Sequence, residues 1–160
     1  MRIKTIFNFL RVLVVIALVG LLQSAKAQGR PPMANLQGEW EWAIYAKSKA
    51  ELPPAYRKEK LRDVPAAAIY LKLKQRGNKL TGSYSGSDRF LARLEDGELE
   101  ATIRDNSAKV DLTSGFGGLV TVLLTLQGKT LHWKTIKSEG ESYFPNDVFL
   151  HRVVKQKRGR

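Results

Sequence analysis

The chain has 160 residues, no cysteine and a formal net charge of +12, and 43% of its residues are hydrophobic. That length suits one domain, large enough to bury a core without covalent staples. The lack of thiols excludes disulfides, thiolate metal sites and a cysteine nucleophile.

Residues 1–27 read as an export signal. Arg2, Lys4 and Arg11 form a positive start, Val12 to Leu22 an apolar run, and Ala25-Lys26-Ala27 a small-x-small cleavage pattern. The run is shorter than the roughly 20 residues a membrane span needs, so no transmembrane segment is expected after cleavage. With no cysteine at the cleavage point, a lipid anchor is not expected either. The mature chain then starts near Gln28, with a short leader over 28–35, and is destined for the periplasm or the medium. A disulfide-free exported domain fits a bacterial envelope.

Without the signal, 23 basic residues face 15 acidic ones, and the excess is concentrated in two places. Lys47 to Arg62 carries six basic residues against Glu51 and Glu59. The end of the chain is basic, with Arg152, Lys155, Lys157, Arg158 and Arg160. The rest is close to neutral.

Alternation of apolar and polar residues dominates from Leu36 onward, the mark of half-buried strands. Leu36, Gly38, Trp40, Trp42 and Ile44 share one face. An insert at 47–65 breaks the rhythm: Pro53 and Pro54 precede a charged stretch of helical composition, Ala55 to Val64, and Pro65 ends it. It predicts a short helix in a long first loop that caps one end of the domain. Alternation resumes at Ile69, Leu71 and Leu73, turns at Arg76 to Lys79, and returns through Leu80, Gly82 and Tyr84. Phe90, Ala92 and Leu94 predict the next strand, and Asp96-Gly97 predicts a two-residue hairpin after it. Leu99, Ala101 and Ile103 follow, then Ala108, Val110 and Leu112, Leu119 to Leu126, Leu131 with Trp133, and Val148 to Val153. The count is about eight or nine strands at spacings of roughly 8 to 12 residues, an all-β antiparallel sandwich or up-and-down barrel. The domain covers 36–153, and 154–160 forms a basic tail.

Gly38-Glu39-Trp40 on the first strand resembles the G-x-W signature of lipocalins and their calycin relatives. The resemblance implies an up-and-down barrel with the tryptophan plugging one end. Leu80-Thr81-Gly82-Ser83-Tyr84 is similar to a segment of avidin-type barrels of the same superfamily, which carry a ligand-binding tyrosine there. The chain departs from the avidin pattern after Trp40, at Glu41-Trp42-Ala43, and this speaks against biotin.

Catalytic constellations are weak. His132 and His151 are predicted on outward faces, without a third metal ligand. Gly128-Lys129-Thr130 lacks the upstream glycine of a phosphate loop, since Leu123 stands there. Ser83, Ser85 and Ser87 do not form a nucleophile elbow. Glu39 with Glu41, and Glu98 with Glu100, read as solvated strand faces. No enzyme, metal or cofactor is therefore expected.

Binding is the better lead. Trp40, Trp42, Tyr84, Phe90 and Trp133 are expected to face one interior, which in an eight-stranded barrel either fills itself or holds a small ligand. The small Gly82, Ala92, Ala101 and Ala108 favour spare volume. Leu119, Leu123, Ile136 and Phe149 are apolar where solvent is expected, so they need a cover, either the insert or a second subunit in a dimer. Arg57, Lys58, Lys60 and Arg62 in the insert, with Lys155, Lys157, Arg158 and Arg160 in the tail, are candidates for an anionic partner. Nucleic acid is not expected of an exported barrel without a basic strand face interleaved with aromatics. The expectation is an exported, non-enzymatic binding protein with a small, largely apolar ligand in the barrel. The alternative is an interaction module that binds a protein or an anionic envelope polymer through loops and basic segments.

Overall fold

The computed structural model describes residues 33–154. The expected export signal, most of the expected leader, and tail residues Lys155, Lys157, Arg158 and Arg160 lie outside them. Eight strands are present: β1 (Gly38–Tyr45), β2 (Pro65–Arg76), β3 (Lys79–Asp88), β4 (Arg93–Arg104), β5 (Ser107–Thr113), β6 (Leu119–Gln127), β7 (Thr130–Glu139) and β8 (Asp147–Arg152). Each pairs antiparallel with the next, and β8 returns to β1 to close a barrel. One end carries the short β2–β3, β4–β5 and β6–β7 turns. The insert and the longer loops crowd the other end.

The inward half of each alternating pattern makes the core. Ile69, Leu71 and Leu73 of β2 meet Val110 and Leu112 of β5, Val120, Val122 and Leu124 of β6, and Leu131 and Trp133 of β7 in one buried cluster. The residues before β1 plug the short-turn end. Leu36 is fully buried, its N–H donates to Gln75 Oε1 at 2.9 Å, and Gln75 Nε2 donates to the Ala34 carbonyl at 3.1 Å. The Trp40 indole donates to the Leu36 carbonyl at 2.9 Å. Arg152 then lies over the Trp40 ring, 4.3 Å from its centroid, and donates to the Gln37 carbonyl at 2.7 Å. A guanidinium over an indole contributes about 0.5–2 kcal/mol, depending on desolvation. This contact ties the last strand to the first beside the narrow β1–β8 seam, where Trp40 pairs with Arg152 and Glu41 with His151.

The structure corrects three local expectations. Asp96-Gly97 is not a hairpin: both residues lie inside β4, with Gly97 opposite Tyr84 on β3. A Cβ on Gly97 would overlap the Tyr84 phenol ring, so the glycine makes room for an aromatic rather than a turn. The actual β3–β4 turn is Arg89-Phe90-Leu91, where all three residues have positive φ. The predicted strand over Phe90 and Ala92 is therefore a reversal.

The expected helix at 55–64 is absent. The insert instead holds three single-turn 3₁₀ helices, Lys49–Glu51, Pro54–Tyr56 and Leu61–Asp63. Its main apolar residues, Tyr56 and Leu61, would stand about 140° apart on an α-helix and could not share a buried face. With separate turns, both reach a second cluster of Ala46, Leu52 and Val64, where Phe90 and Leu91 also pack. The insert therefore does not cover the apolar outer residues of β6–β8. Leu119, Ile136 and Phe149 remain 57%, 49% and 46% exposed.

Gly97→Val should force the Tyr84 ring off its seat and lower stability by about 1–3 kcal/mol, the usual range for overpacking. Denaturant melts measure this, and an unchanged midpoint would show that the Tyr84–Gly97 contact carries no constraint.

Candidate functional site

The side chains expected to line a pocket are mostly the core itself. Trp40, Trp133 and Tyr84 are 0%, 1% and 4% exposed, and Trp42 packs half-buried against the same cluster. Phe90 does not join them, because its turn carries it to the second cluster under the insert. The structure thus brings four of the five aromatics together and separates the fifth.

The loop between β7 and β8 completes the filling. Phe144 sits between Tyr84 and Trp133, with ring centroids 5.6 Å and 5.9 Å away. On its C-terminal side the Pro145 carbonyl accepts bonds from the Trp133 indole at 2.8 Å and Thr135 Oγ1 at 2.9 Å. On the other side, the Tyr143 N–H donates to Glu95 Oε1 at 3.0 Å. Tyr84 itself donates to the Thr113 carbonyl at 2.6 Å. Burial pushes the Tyr84 hydroxyl above its ordinary value of 10.0, so it remains a donor across the physiological range.

Glu95 is the one charged side chain among the buried described residues, at 2% exposure. It lies on the inward face of β4 with Gly97 and Leu99. Its carboxylate accepts from Ser114 Oγ at 2.8 Å, the Gly115 N–H at 2.9 Å and the Tyr143 N–H. A buried carboxylate needs such partners, since an unpaired one costs several kcal/mol. Glu95 and Phe144 are absent from the sequence-based candidates. The spacing Glu95, Gly97, Leu99 carried the signal for Glu95, but a turn assigned at Asp96-Gly97 broke the strand and hid it. Phe144 lies in a loop without periodicity, and no pattern marks it.

The outer wall carries open depressions. One depression of about 570 Å³ lies over Lys72, Thr81, Ser83 and Glu98. A neighbour of about 360 Å³ reaches Glu41, Tyr70 and Ser85. The Tyr70 hydroxyl is pushed up to about 12, first by burial, then by Tyr45, whose charge and hydrogen bond both act on it. A third depression on the β5–β7 wall is bounded by Asp111, Leu119, Thr121 and Lys137.

Of the basic candidates, Arg57, Lys58, Lys60 and Arg62 are all exposed on the insert. His132 bonds Asp147 through Nε2 at 2.7 Å and stacks on Phe149 at 4.5 Å, while His151 pairs with Thr130 across the strands. Among the described residues, no group of three His, Cys, Asp or Glu side chains is placed to hold a metal. No helix among them is long and apolar enough to cross a membrane.

The fold and site define an all-β protein, a closed eight-stranded antiparallel barrel whose aromatic core is plugged by a loop. No protein-family model matches the chain, and no curated protein or solved structure matches it either.

Glu95→Gln keeps the shape but replaces one carboxylate oxygen with an amide N–H₂, which then faces at least one of the three donors. Loss of these charge-assisted bonds should cost about 2–3 kcal/mol. Amide hydrogen exchange should rise in residues 114–118 and 140–146 together; exchange unchanged in both segments would refute the role of Glu95 in holding the two loops.

Proposed function

We propose that this chain is an exported, non-enzymatic interaction module that works through the outside of its barrel. The carrying observation is the seating of Phe144 against Tyr84 and Trp133, where a loop aromatic of the chain's own packs on the barrel core. Small barrels either fill themselves or hold one ligand, and a filled one must recognise partners from its surface. The partner class is anionic, an envelope polymer or an acidic protein face. Arg57, Lys58, Lys60 and Arg62 present four exposed cations on one loop, and the tail adds Lys155, Lys157, Arg158 and Arg160 in sequence. The export signal read in residues 1–27 supports an envelope or extracellular setting.

Dextran sulfate serves as the anionic probe. The full chain should bind it with a steep loss as salt rises, because clustered surface charges act through screened fields. Lys58→Gln with Lys60→Gln, combined with removal of 155–160, should weaken binding by at least about tenfold, or about 1.4 kcal/mol. The deletion starts after Arg152 because that residue packs on Trp40. Unchanged affinity in a folded variant would sink this reading.

A second reading, a small apolar ligand inside the barrel, is favoured by one feature. Displacement of the β7–β8 loop would vacate a slot between Tyr84 and Trp133, the size of the Phe144 ring. This reading keeps the lipocalin-like resemblance of Gly38-Glu39-Trp40 as a proposal about ancestry and ligand class. Native mass spectrometry of protein taken from its source envelope separates the two. Extra mass released on denaturation supports the carried ligand, and the bare chain mass supports the surface module.

A further inference from the structure

Strand β3 is the least expected in the barrel. Its sequence, KLTGSYSGSD, is built largely from Gly and Ser, with few of the β-branched and aromatic residues that strands favour. The glycines have a packing reason. A Cβ on Gly82 would collide with the Lys72 carbonyl, and one on Gly86 would press on Ile69 at 3.1 Å. The outward Ser83 and Ser85 have no such reason, since longer side chains there would only cover more of the wall. Local preferences broken without a packing gain mark functional positions.

The short hydroxyl side chains form the floor of the two adjoining depressions, which share Lys72 and Ser83. The strand registers place three rungs across this floor: Lys74–Thr81–Glu100, Lys72–Ser83–Glu98 and Tyr70–Ser85–Asp96. β2 and β4 stand two strand spacings apart, about 10 Å, and successive rungs are separated by about 7 Å. One wall therefore offers ammonium donors and a phenol, the other offers carboxylate acceptors, and hydroxyls lie between. Lys79 already holds Glu100 at 2.7 Å, at the short-turn end of the groove.

These walls restrict the occupant. A polyanion would be repelled by Asp96, Glu98 and Glu100, and a polycation by Lys72 and Lys74. An apolar chain would strip water from charges without replacing their hydrogen bonds. Strand addition is unavailable on β3, whose backbone pairs with β2 on one side and β4 on the other. A sugar hydroxyl both donates and accepts, so a polyol can serve both walls at once, and its ring face can lie against Tyr70.

We propose that the outer groove along β3 binds a neutral oligosaccharide, laid along the strand with its hydroxyls shared between the lysines of β2 and the carboxylates of β4. The site uses none of the insert or tail cations, so it stands or falls separately from the anionic-partner reading.

Backbone amide shifts of the isotope-labelled full chain are followed with cellohexaose, maltohexaose and chitohexaose, each taken to about 10 mM, a range that covers millimolar affinity. At least one should give saturable shifts around Lys72, Ser83 and Glu98. Lys72→Met with Glu98→Gln should weaken that sugar by about tenfold or more while other amides keep their positions. Ser83→Arg, which fills the floor, provides the same readout if the double variant does not fold. The proposal is overturned by shifts that are absent with all three sugars, by shifts that map elsewhere, or by affinity retained in the folded variant. It is equally overturned if dextran sulfate saturates the same amides, which would make the groove an anion site.

Discussion

The Tyr84 ring laid across Gly97, with its hydroxyl on the Thr113 carbonyl, is the contact on which the closure of this barrel depends. β4 and β5 are paired through Ile103–Ala108 and Arg104–Ser107, next to their turn. Farther along, side chains take over the joining: Tyr84 reaches from β3 over β4 to β5, and Glu95 reaches from β4 to Ser114 and Gly115. Ordinary hydrogen bonds contribute about 1 kcal/mol each and charge-assisted ones more, so a few well-placed bonds can stand in for a short stretch of ladder. The same groups fix the loops. Glu95 holds Tyr143, and this hold seats Phe144 between Tyr84 and Trp133.

That dependence explains what was legible in the sequence and what was not. Alternation alone identified the inward faces of β2, β5 and β6, and of β1 as far as Trp42, because period-2 burial is a local property of a strand with one wet side. Ile44, expected on the same face of β1, is 52% exposed beside a register shift. It also placed Trp40, Trp42, Tyr84 and Trp133 on a common interior. Asp96-Gly97 failed because a glycine required for close approach and a glycine required for a turn are the same residue type. The choice between them rests on Tyr84, some dozen residues earlier in the chain and on another strand. Phe90 failed with it, since moving the turn to Arg89-Phe90-Leu91 moves that ring to the insert cluster.

The insert was misread for a different reason. Its composition favours helix, yet Pro53 and Pro54 interrupt it and its apolar residues do not recur at helical spacing. Burial of Leu52 and Val64 at its two ends then holds the chain in separate turns. Tertiary burial outweighs a propensity of only tenths of a kcal/mol per residue. Phe144, which packs against Tyr84 and Trp133, lies in a loop that carries no periodic signal.

β3 serves both the inside and the outside of the barrel. Seen from inside, its glycines let the backbone approach β2 and its tyrosine spans β4, so the strand must be thin at Gly82 and Gly86 and bulky at Tyr84. Seen from outside, the intervening residues are hydroxyls between lysines and carboxylates. Inner closure dictates nothing about Thr81, Ser83 and Ser85, because alternate residues of a strand face opposite sides. Their shortness is thus a property of the outer surface alone. β3 is thus the strand on which inner packing and outer surface chemistry are divided residue by residue.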